Sequence, residues 1–430
     1  MSAQVDTACF NLDQHPCYSI GGSHQYARIH LPIAPRCNIQ CNYCNRKYDC
    51  VNESRPGVTS RVLSPVQALA YLEEMMEKIP SIRVMGIAGP GDPFANPYET
   101  METLRLVRRR FPDMMMCLAS NGLHIGPHID ELVELQVSHV TITMNAVDPA
   151  VGGLVYAWAR DEGKILKNDD AAAVLIERQL DAVKRLAVAG VLVKVNSIVV
   201  PGVNDRHIPE IAKVVKGLGA TVMNCIPLCP VQDTPYENLY EPDGIMMARV
   251  RLQCGEHVSQ MSHCARCRAD AVGLLGEDQS VEFAGTLESF TEMNTPIDKT
   301  RPYIAVATQE GMLVNLHLGE ATKVIVYSHL PETDEYEIVD VRALPGTGGG
   351  DDRWKELANT LRDCRALLVS ACGPRPKQIV EGFGLVVIEM EGLVEEGLEA
   401  LFHDEEIPAS LQRRFTSCGN GCSGGGNGCS

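Results

Sequence analysis

Three things are missing from this chain. No apolar run is long enough to cross a bilayer, so a spanning helix is excluded. The N-terminus lacks a basic stretch followed by an apolar one, so no secretory signal is read there and the protein is expected in the cytoplasm. Positive charge is short: 38 Lys and Arg against 55 Asp and Glu give a formal net charge of −17. A surface that acidic repels phosphate backbones, which argues against nucleic acid as a partner. Cysteine is abundant instead, with 17 in 430 residues. The number is odd and the spacing uneven, which is not a disulfide framework. In a large cytosolic chain it points to metal or redox chemistry.

From about residue 26 to 230 β-rich runs alternate with helical stretches. The expected strands are 26–33, 83–88, 114–119, 139–144, 192–199 and 221–227. The expected helices are 65–78, 97–111, 127–135, 171–189 and 205–216, several opening on a proline suited to the first turn. Six alternating units predict an α/β fold, a partial (β/α)6 barrel with its chemistry at the C-terminal ends of parallel strands. A helical segment at 242–261 follows. Residues 286–302 read as a linker. A second, small α/β domain covers 303–415, with strands near 304–308, 323–328, 336–342, 366–370 and 385–388 and helices at 351–361 and 376–381. The division expected is therefore an N-terminal segment 1–25, a barrel with its Cys/His segment 26–285, the linker, the domain at 303–415 and a Gly/Cys-rich tail 416–430 without a fold of its own.

The segment RCNIQCNYCNRKYDC follows the first strand, and Cys37, Cys41 and Cys44 in it form C-x3-C-x2-C. Three thiolates hold three irons of a [4Fe–4S] cubane and leave the fourth open. The open iron can chelate the methionine part of S-adenosylmethionine (SAM), and one electron delivered to the sulfonium then yields a 5′-deoxyadenosyl radical. Zinc sites favour paired CxxC or CxxC/HxxxH spacings with four ligands, which this triplet lacks. Tyr43 precedes the last cysteine, placed to cover the cluster or face adenine. Gly89, Gly91 and Asp92 lie in IAGPGDP after the second strand, Asn121 follows the third and Asn145 the fourth, while Asn196 and Asn224 lie on the fifth and sixth. Each is a polar or permissive position beside a strand where SAM contacts would be made; as single motifs they also read as turns.

Further soft or borderline ligands are spread along the chain: Cys17, His24, Cys50, Cys117, Cys254, His263, Cys264 and Cys267, with Glu53 three residues beyond Cys50. Cys264 and Cys267 have the CxxC spacing of a metal site, a zinc pair included. Cys117 in an apolar strand also reads as core, and His24 as a surface histidine. Cys9, Cys225, Cys229, Cys364 and Cys372 read as structural or incidental. The eight ligands would suffice for two more cubanes if the segments flanking the barrel fold over one mouth.

CNIQCNYCNRKYDCVNESRPG, VMGIAGPGDPFANP, KVNSIVVPGVND and HCARCRADAVGLLGED resemble the radical SAM maturases of nitrogenase cofactors, the NifB family, over about residues 14–285. VATQEGMLVNLHLGEATKVIVYS and SACGPRPKQIVEGFGLVVIEMEGLVEEGLEAL resemble the small NifX/NafY-type domain, which is ribonuclease H-like and binds iron–molybdenum-cofactor precursors. The resemblance implies fusion of two further [4Fe–4S] clusters, the precursors K1 and K2, into an [8Fe–9S–C] product, with carbide from the methyl of one SAM, a second SAM supplying the radical, and an extra sulfur from elsewhere. It implies that Cys37, Cys41 and Cys44 bind the SAM cluster. Cys17, His24, Cys50, Cys117, Cys254, Cys264 and Cys267 would be shared by the precursors, and Glu53 would be an exchangeable ligand or proton acceptor. It also implies a low-potential reductant, an iron–sulfur donor, and scaffold or carrier partners of the NifEN/NifX type. His317 is a candidate cluster contact in the second domain, where Glu320 replaces a second histidine common in that family; Cys418, Cys422 and Cys429 in the tail are incidental thiols or iron collectors. Two other readings stand beside this one: a radical SAM enzyme that modifies a peptide using auxiliary clusters, and a non-catalytic iron–sulfur scaffold.

Overall fold

The structure is a computed structural model and describes residues 15–16, 20–45, 61–261, 269–293, 295–405, 407–408 and 410–412. The chain divides into two compact units, one of residues 1–63 and 68–292, the other of 64–67 and 293–430.

The first unit is an open barrel. Six parallel strands lie side by side in chain order: β1 Ala27–His30, β2 Ile82–Ile87, β3 Met115–Ser120, β4 His139–Thr143, β5 Leu192–Val199 and β6 Val222–Pro227. Between them run α1 Pro65–Lys78, α2 Pro97–Arg110, α3 Ile129–Glu134, α4 Asn168–Val188 and α5 Ile208–Gly217. The helices form where apolar residues recur at helical spacing, as with Ile208, Ile211, Ala212 and Val215, which bury one face of α5. In α2 proline opens the first turn, with Glu99 in that turn and Arg108, Arg109 and Arg110 in the last, the order that suits the helix dipole. The apolar side chains that point away from the lumen, such as Ile29, Met85, Met116, Val140 and Val193, pack into one core with the helices.

Several elements depart from expectation. The strand Val272–Leu274 joins the sheet antiparallel to β1 and pairs onward with Glu277–Asp278. Residues 145–170 are not a bare connection: they hold a short helix, Pro149–Val155, and a hairpin of Tyr156–Asp161 with Lys164–Lys167. That hairpin pairs with Ile39–Cys41 in the cysteine loop. The expected linker at 286–302 begins inside a helix, Ala284–Thr291, whose Leu287 is buried in the barrel core. The helix forms because Phe283, Leu287 and Phe290 recur at helical spacing and have apolar partners there, Phe290 lying edge-on to Tyr71. The segment 242–261 contains a shorter helix, α6 Gly244–Gly255, capped by the Asp243 carboxylate.

The second unit carries one five-stranded sheet: β7 Tyr303–Val306, β8 Lys323–Leu330, β9 Glu335–Ala343, β10 Cys364–Val369 and β11 Val386–Glu389, in the spatial order β9-β8-β7-β10-β11. The β9-β8-β7 side is antiparallel and the β7-β10-β11 side parallel. Helices α7 Asp351–Thr360 and α8 Pro374–Gly382 fall near their expected places. A further helix, α9 Val394–Phe402, packs Val394, Leu398 and Leu401 on the other face.

Candidate active site

The loop after β1 is held against the barrel mouth by backbone contacts. Gly91 N–H donates to the Ala34 carbonyl (2.6 Å) and Asp92 N–H to that of Arg36 (2.8 Å). A side chain at Gly91 would meet the Arg36 carbonyl oxygen at 2.1 Å. Glycine is thus required because two loops touch, not because a ligand does. Asn96 completes the clamp. Its amide donates to the carbonyls of Arg36 (2.9 Å) and Asp92 (2.8 Å), and its oxygen accepts from Arg36 N–H. Sequence reasoning passed over Asn96. The signal was its place in GDPFANP, four residues after an aspartate that caps the next turn.

Cys37, Cys41, Tyr43, Cys44, Gly91, Asp92, Asn121 and Asn145 line one hollow over the strand ends, with Ala88, Ser120, Thr143 and Tyr156 among its other walls. The three cysteines rest on a small apolar cluster that includes Ile39, Tyr156 and Ala159. The Asn121 amide donates to Cys37 Sγ (3.8 Å) and to Asn38 Oδ1 (2.7 Å). Asn38 in turn meets His124, and His124 meets Asp161. Asp92 is committed to its surroundings. Its carboxylate accepts from Phe94 N–H, Ser120 Oγ–H and Asn121 N–H, while burial pushes its pKa up. Its role is to hold the Ser120–Asn121 turn.

Tyr43 is buried, and its hydroxyl accepts from the Asn145 amide (3.0 Å). Asn145 is a hub: its oxygen accepts from Ile198 N–H (2.8 Å), its N–H donates to Tyr156, and its carbonyl accepts from Asn204. Fully buried, it ties the cysteine loop to β5 and the loop beyond. Gly89 adjoins the hollow with φ of 136°, a backbone reason for glycine. Asn196 accepts from the Asn224 amide (3.4 Å), and neither of the two lines the hollow.

One layer lower, His30, Gly86, Cys117 and His139 are in register across β1 to β4. A side chain at Gly86 would meet His30 Nε2 at 3.1 Å and Cys117 Sγ at 3.0 Å, so the two donors crowd over the same bare backbone. His30 was missed by sequence reasoning; its position on the same strand as the loop, flanked by buried Ile29 and Leu31, was the available signal. The His15 ring packs on His139 at 4.2 Å. Burial and the Lys194 charge hold the pKa of His139 down at about 3.

His24, the expected histidine ligand, is exposed in the turn after the short helix Ile20–Ser23. Cys254 is buried in the core between α6 and the sheet, with its Sγ 3.9 Å from Cys225 Sγ. Their hydrogen bond and burial push the Cys225 thiol up. This pair packs outside the lumen, because Cys225 and Asn224 point to opposite faces of β6. Cys17, Cys50, Glu53, His263, Cys264 and Cys267 lie outside the described residues, as do Cys9 and the tail cysteines. In the second unit His317, Trp354, Cys372 and Arg375 line a separate hollow, and Glu320 N–H donates to the His317 carbonyl.

Comparison with known proteins places these features. Residues 31–215 match the radical SAM superfamily, and residues 300–404 match the dinitrogenase iron-molybdenum cofactor family. The FeMo cofactor biosynthesis protein NifB of Chlorobaculum tepidum is 49% identical over 97% of this chain and 99% of its own length. The protein of the same name from Klebsiella pneumoniae is 38% identical over 86% of each. Among solved structures, Streptococcus suis SuiB bound to S-adenosylmethionine aligns with a TM-score of 0.40 at 10% identity, over 55% of this chain and 50% of that one.

Proposed function

The chain belongs to the NifB family of FeMo cofactor biosynthesis proteins, a radical SAM barrel joined to a dinitrogenase iron-molybdenum cofactor domain, and from that premise we propose that it fuses two [4Fe–4S] substrate clusters with a SAM-derived carbon and an added sulfur into an [8Fe–9S–C] precursor. The observation that carries this reading is vertical. A hollow lined by three closely spaced cysteines lies above a layer in which His30 and Cys117 crowd together inside the barrel.

The residues fit the groups required. Cys37, Cys41 and Cys44 would hold a resident cubane, and the walls from Ala88 to Asn145, small and polar apart from the hydrogen-bonded Asp92 carboxylate, would take SAM. When bound, that pair supplies one-electron cleavage of a sulfonium. The chain's own part is positioning. Asn96 and Gly91 fix where the loop starts, Tyr43 and Asn145 fix where it ends, and Asn121 donates to one thiolate. We assign His30 rather than His24 as the imidazole that receives a substrate cluster beside Cys117. Cys17 follows His15, whose ring packs in the same layer, and is the third candidate. Cys50, Cys264 and Cys267, with Glu53 as an exchangeable group, would serve the second substrate cluster. Cys254 is left out of both sets, because it packs in the helix–sheet layer. A mixed thiolate and imidazole set suits clusters that must later leave, since imidazole exchanges more readily than thiolate. Substrate one layer below the SAM hollow sits about 6–7 Å down the strands, close enough for proximity to act. The hollow around His317 in the second unit would take product or precursor, and an iron–sulfur donor, a low-potential reductant and NifEN/NifX-type acceptors remain the partners required.

The test is anaerobic incubation with methyl-labelled SAM, followed by extraction of the cluster. Label in the extracted cluster supports the reading; SAM cleavage without label there would favour a peptide-modifying enzyme, and no cleavage a carrier. In the same assay about twelve irons should bind the wild-type chain. His30→Ala should bind about four fewer, and His24→Ala should match wild type.

A further inference from the structure

We propose that His329, Asp334 and His403, at one end of the second unit, form a binding site for a borderline divalent cation of the zinc class, separate from the iron–sulfur chemistry and independent of the reading above.

The site is made by a hairpin turn and a helix end. His329 lies near the end of β8 and Asp334 closes the turn into β9, its N–H donating to the Leu330 carbonyl (2.9 Å). Asp334 has φ of 58°, a left-handed conformation that aspartate tolerates better than most residues. His403 ends α9, where its N–H donates to the Glu399 carbonyl (3.1 Å). The two imidazoles converge on a single oxygen: Nε2 of His329 is 2.8 Å and Nε2 of His403 3.2 Å from Asp334 Oδ1. The three ligand atoms lie within 4.8 Å of one another. Zinc with bonds of about 2.0–2.2 Å separates tetrahedral ligands by roughly 3.3 Å. A small opening of the present arrangement is enough to admit it.

The surroundings favour a cation over a simple ion pair. One carboxylate needs one imidazole, and an exposed pair of that kind contributes little. Here a second imidazole is brought in from another element. The His329 ring is packed against Tyr336 and Phe402, each 5.6 Å away, so its direction is set by the aromatic wall rather than by Asp334 alone. Glu399 stands ready as a fourth ligand: Oε1 is 3.9 Å from His403 Nε2, while Oε2 accepts from the Tyr336 hydroxyl (2.6 Å). That hydroxyl orients the carboxylate as an outer partner orients a metal ligand. Two imidazoles with one or two carboxylates and no thiolate select Zn2+, Ni2+ or Co2+ over Mg2+ or Ca2+. A bound ion would clip the β8–β9 turn to the end of α9.

The experiment uses the full chain with its iron–sulfur clusters assembled, so that thiolates are occupied, and cleared of loose metal with a chelator. It is titrated with Zn2+ against a chromophoric competitor. One zinc should bind per chain, with a nitrogen and oxygen shell by X-ray absorption and a rise in the melting temperature of the second unit. His403→Ala and Asp334→Asn, both at exposed positions, should weaken that binding by about 100-fold or more. Equal zinc uptake by wild type and both variants, a sulfur shell, or no binding at a roughly hundredfold excess of zinc over protein would each overturn the proposal.

Discussion

The amide of Asn121 reaches Cys37 Sγ at 3.8 Å while its other hydrogen bonds hold it to Asn38 and Leu123. A donor aimed at a thiolate stabilises the more electron-rich, reduced cluster and so raises its potential. Asn121→Ala should therefore lower the midpoint of the SAM cluster by tens of millivolts, roughly, as read by a redox titration followed by electron paramagnetic resonance. An unchanged midpoint would remove the proposed influence on the thiolate. Gly91 makes a different kind of contribution. With the Arg36 carbonyl oxygen 2.1 Å from where Cβ would stand, Gly91→Ala must push two backbones apart. The expected cost is about 3 kcal/mol in urea unfolding of the iron-free chain. A wild-type midpoint there would mean the two loops separate freely. Gly91 and Asp92 were legible as special residues from IAGPGDP alone. What they contact was not, because the Ala34 and Arg36 carbonyls lie 55 or more residues earlier in the chain and Ser120 and Asn121 lie 28 and 29 residues later than Asp92.

At the scale of elements, the hairpin Tyr156–Asp161 with Lys164–Lys167 does most to set the cysteine loop. Ile39 pairs with Ala159 and Cys41 with Tyr156, so the loop becomes the edge of a small sheet rather than a free connection. The hairpin is hard to read from sequence. Its turn places Glu162 at φ of 47° and Gly163 at 77°, and glutamate is a weaker signal for that conformation than asparagine or aspartate. Ala159 is fully buried beneath Ile39. Ala159→Asp should cost on the order of 3 kcal/mol and unseat the loop. The reconstituted variant should lose the SAM-responsive cubane signal while keeping the helical circular dichroism of the barrel. A variant with an intact cubane signal would show that the loop holds its shape without the hairpin. The long barrel elements were predictable because each has its own periodicity, and the errors there are of a few residues at the ends. The helices Ala284–Thr291 and α9 were missed, the first because its few apolar residues sit in a polar stretch, the second because Gly397 interrupts it.

For the whole molecule, the two units have separate cores. The barrel cluster and the two clusters around β7 to β11 share no residue. A fragment of residues 295–430 should therefore fold alone and unfold in one cooperative transition, with a melting temperature within a few degrees of the corresponding transition in the full chain. A fragment that stays unfolded would show that its core depends on the barrel. Among the described residues no helix is long and apolar enough to cross a membrane, in line with the absence of such a run in the sequence.

The sequence by itself determined the chemistry class. Cys37, Cys41 and Cys44 sit within eight residues of one another, so their spacing is a local property, as are the periodicities that write out alternating strands and helices. Tertiary structure alone decided which distant groups share a layer. His30 rather than His24 stands beside Cys117 because strand register, not proximity along the chain, aligns β1, β2 and β3, and glycine at position 86 leaves both side chains room. The same holds for Cys254: only the direction of α6 against β6 turns it toward Cys225 and into the core.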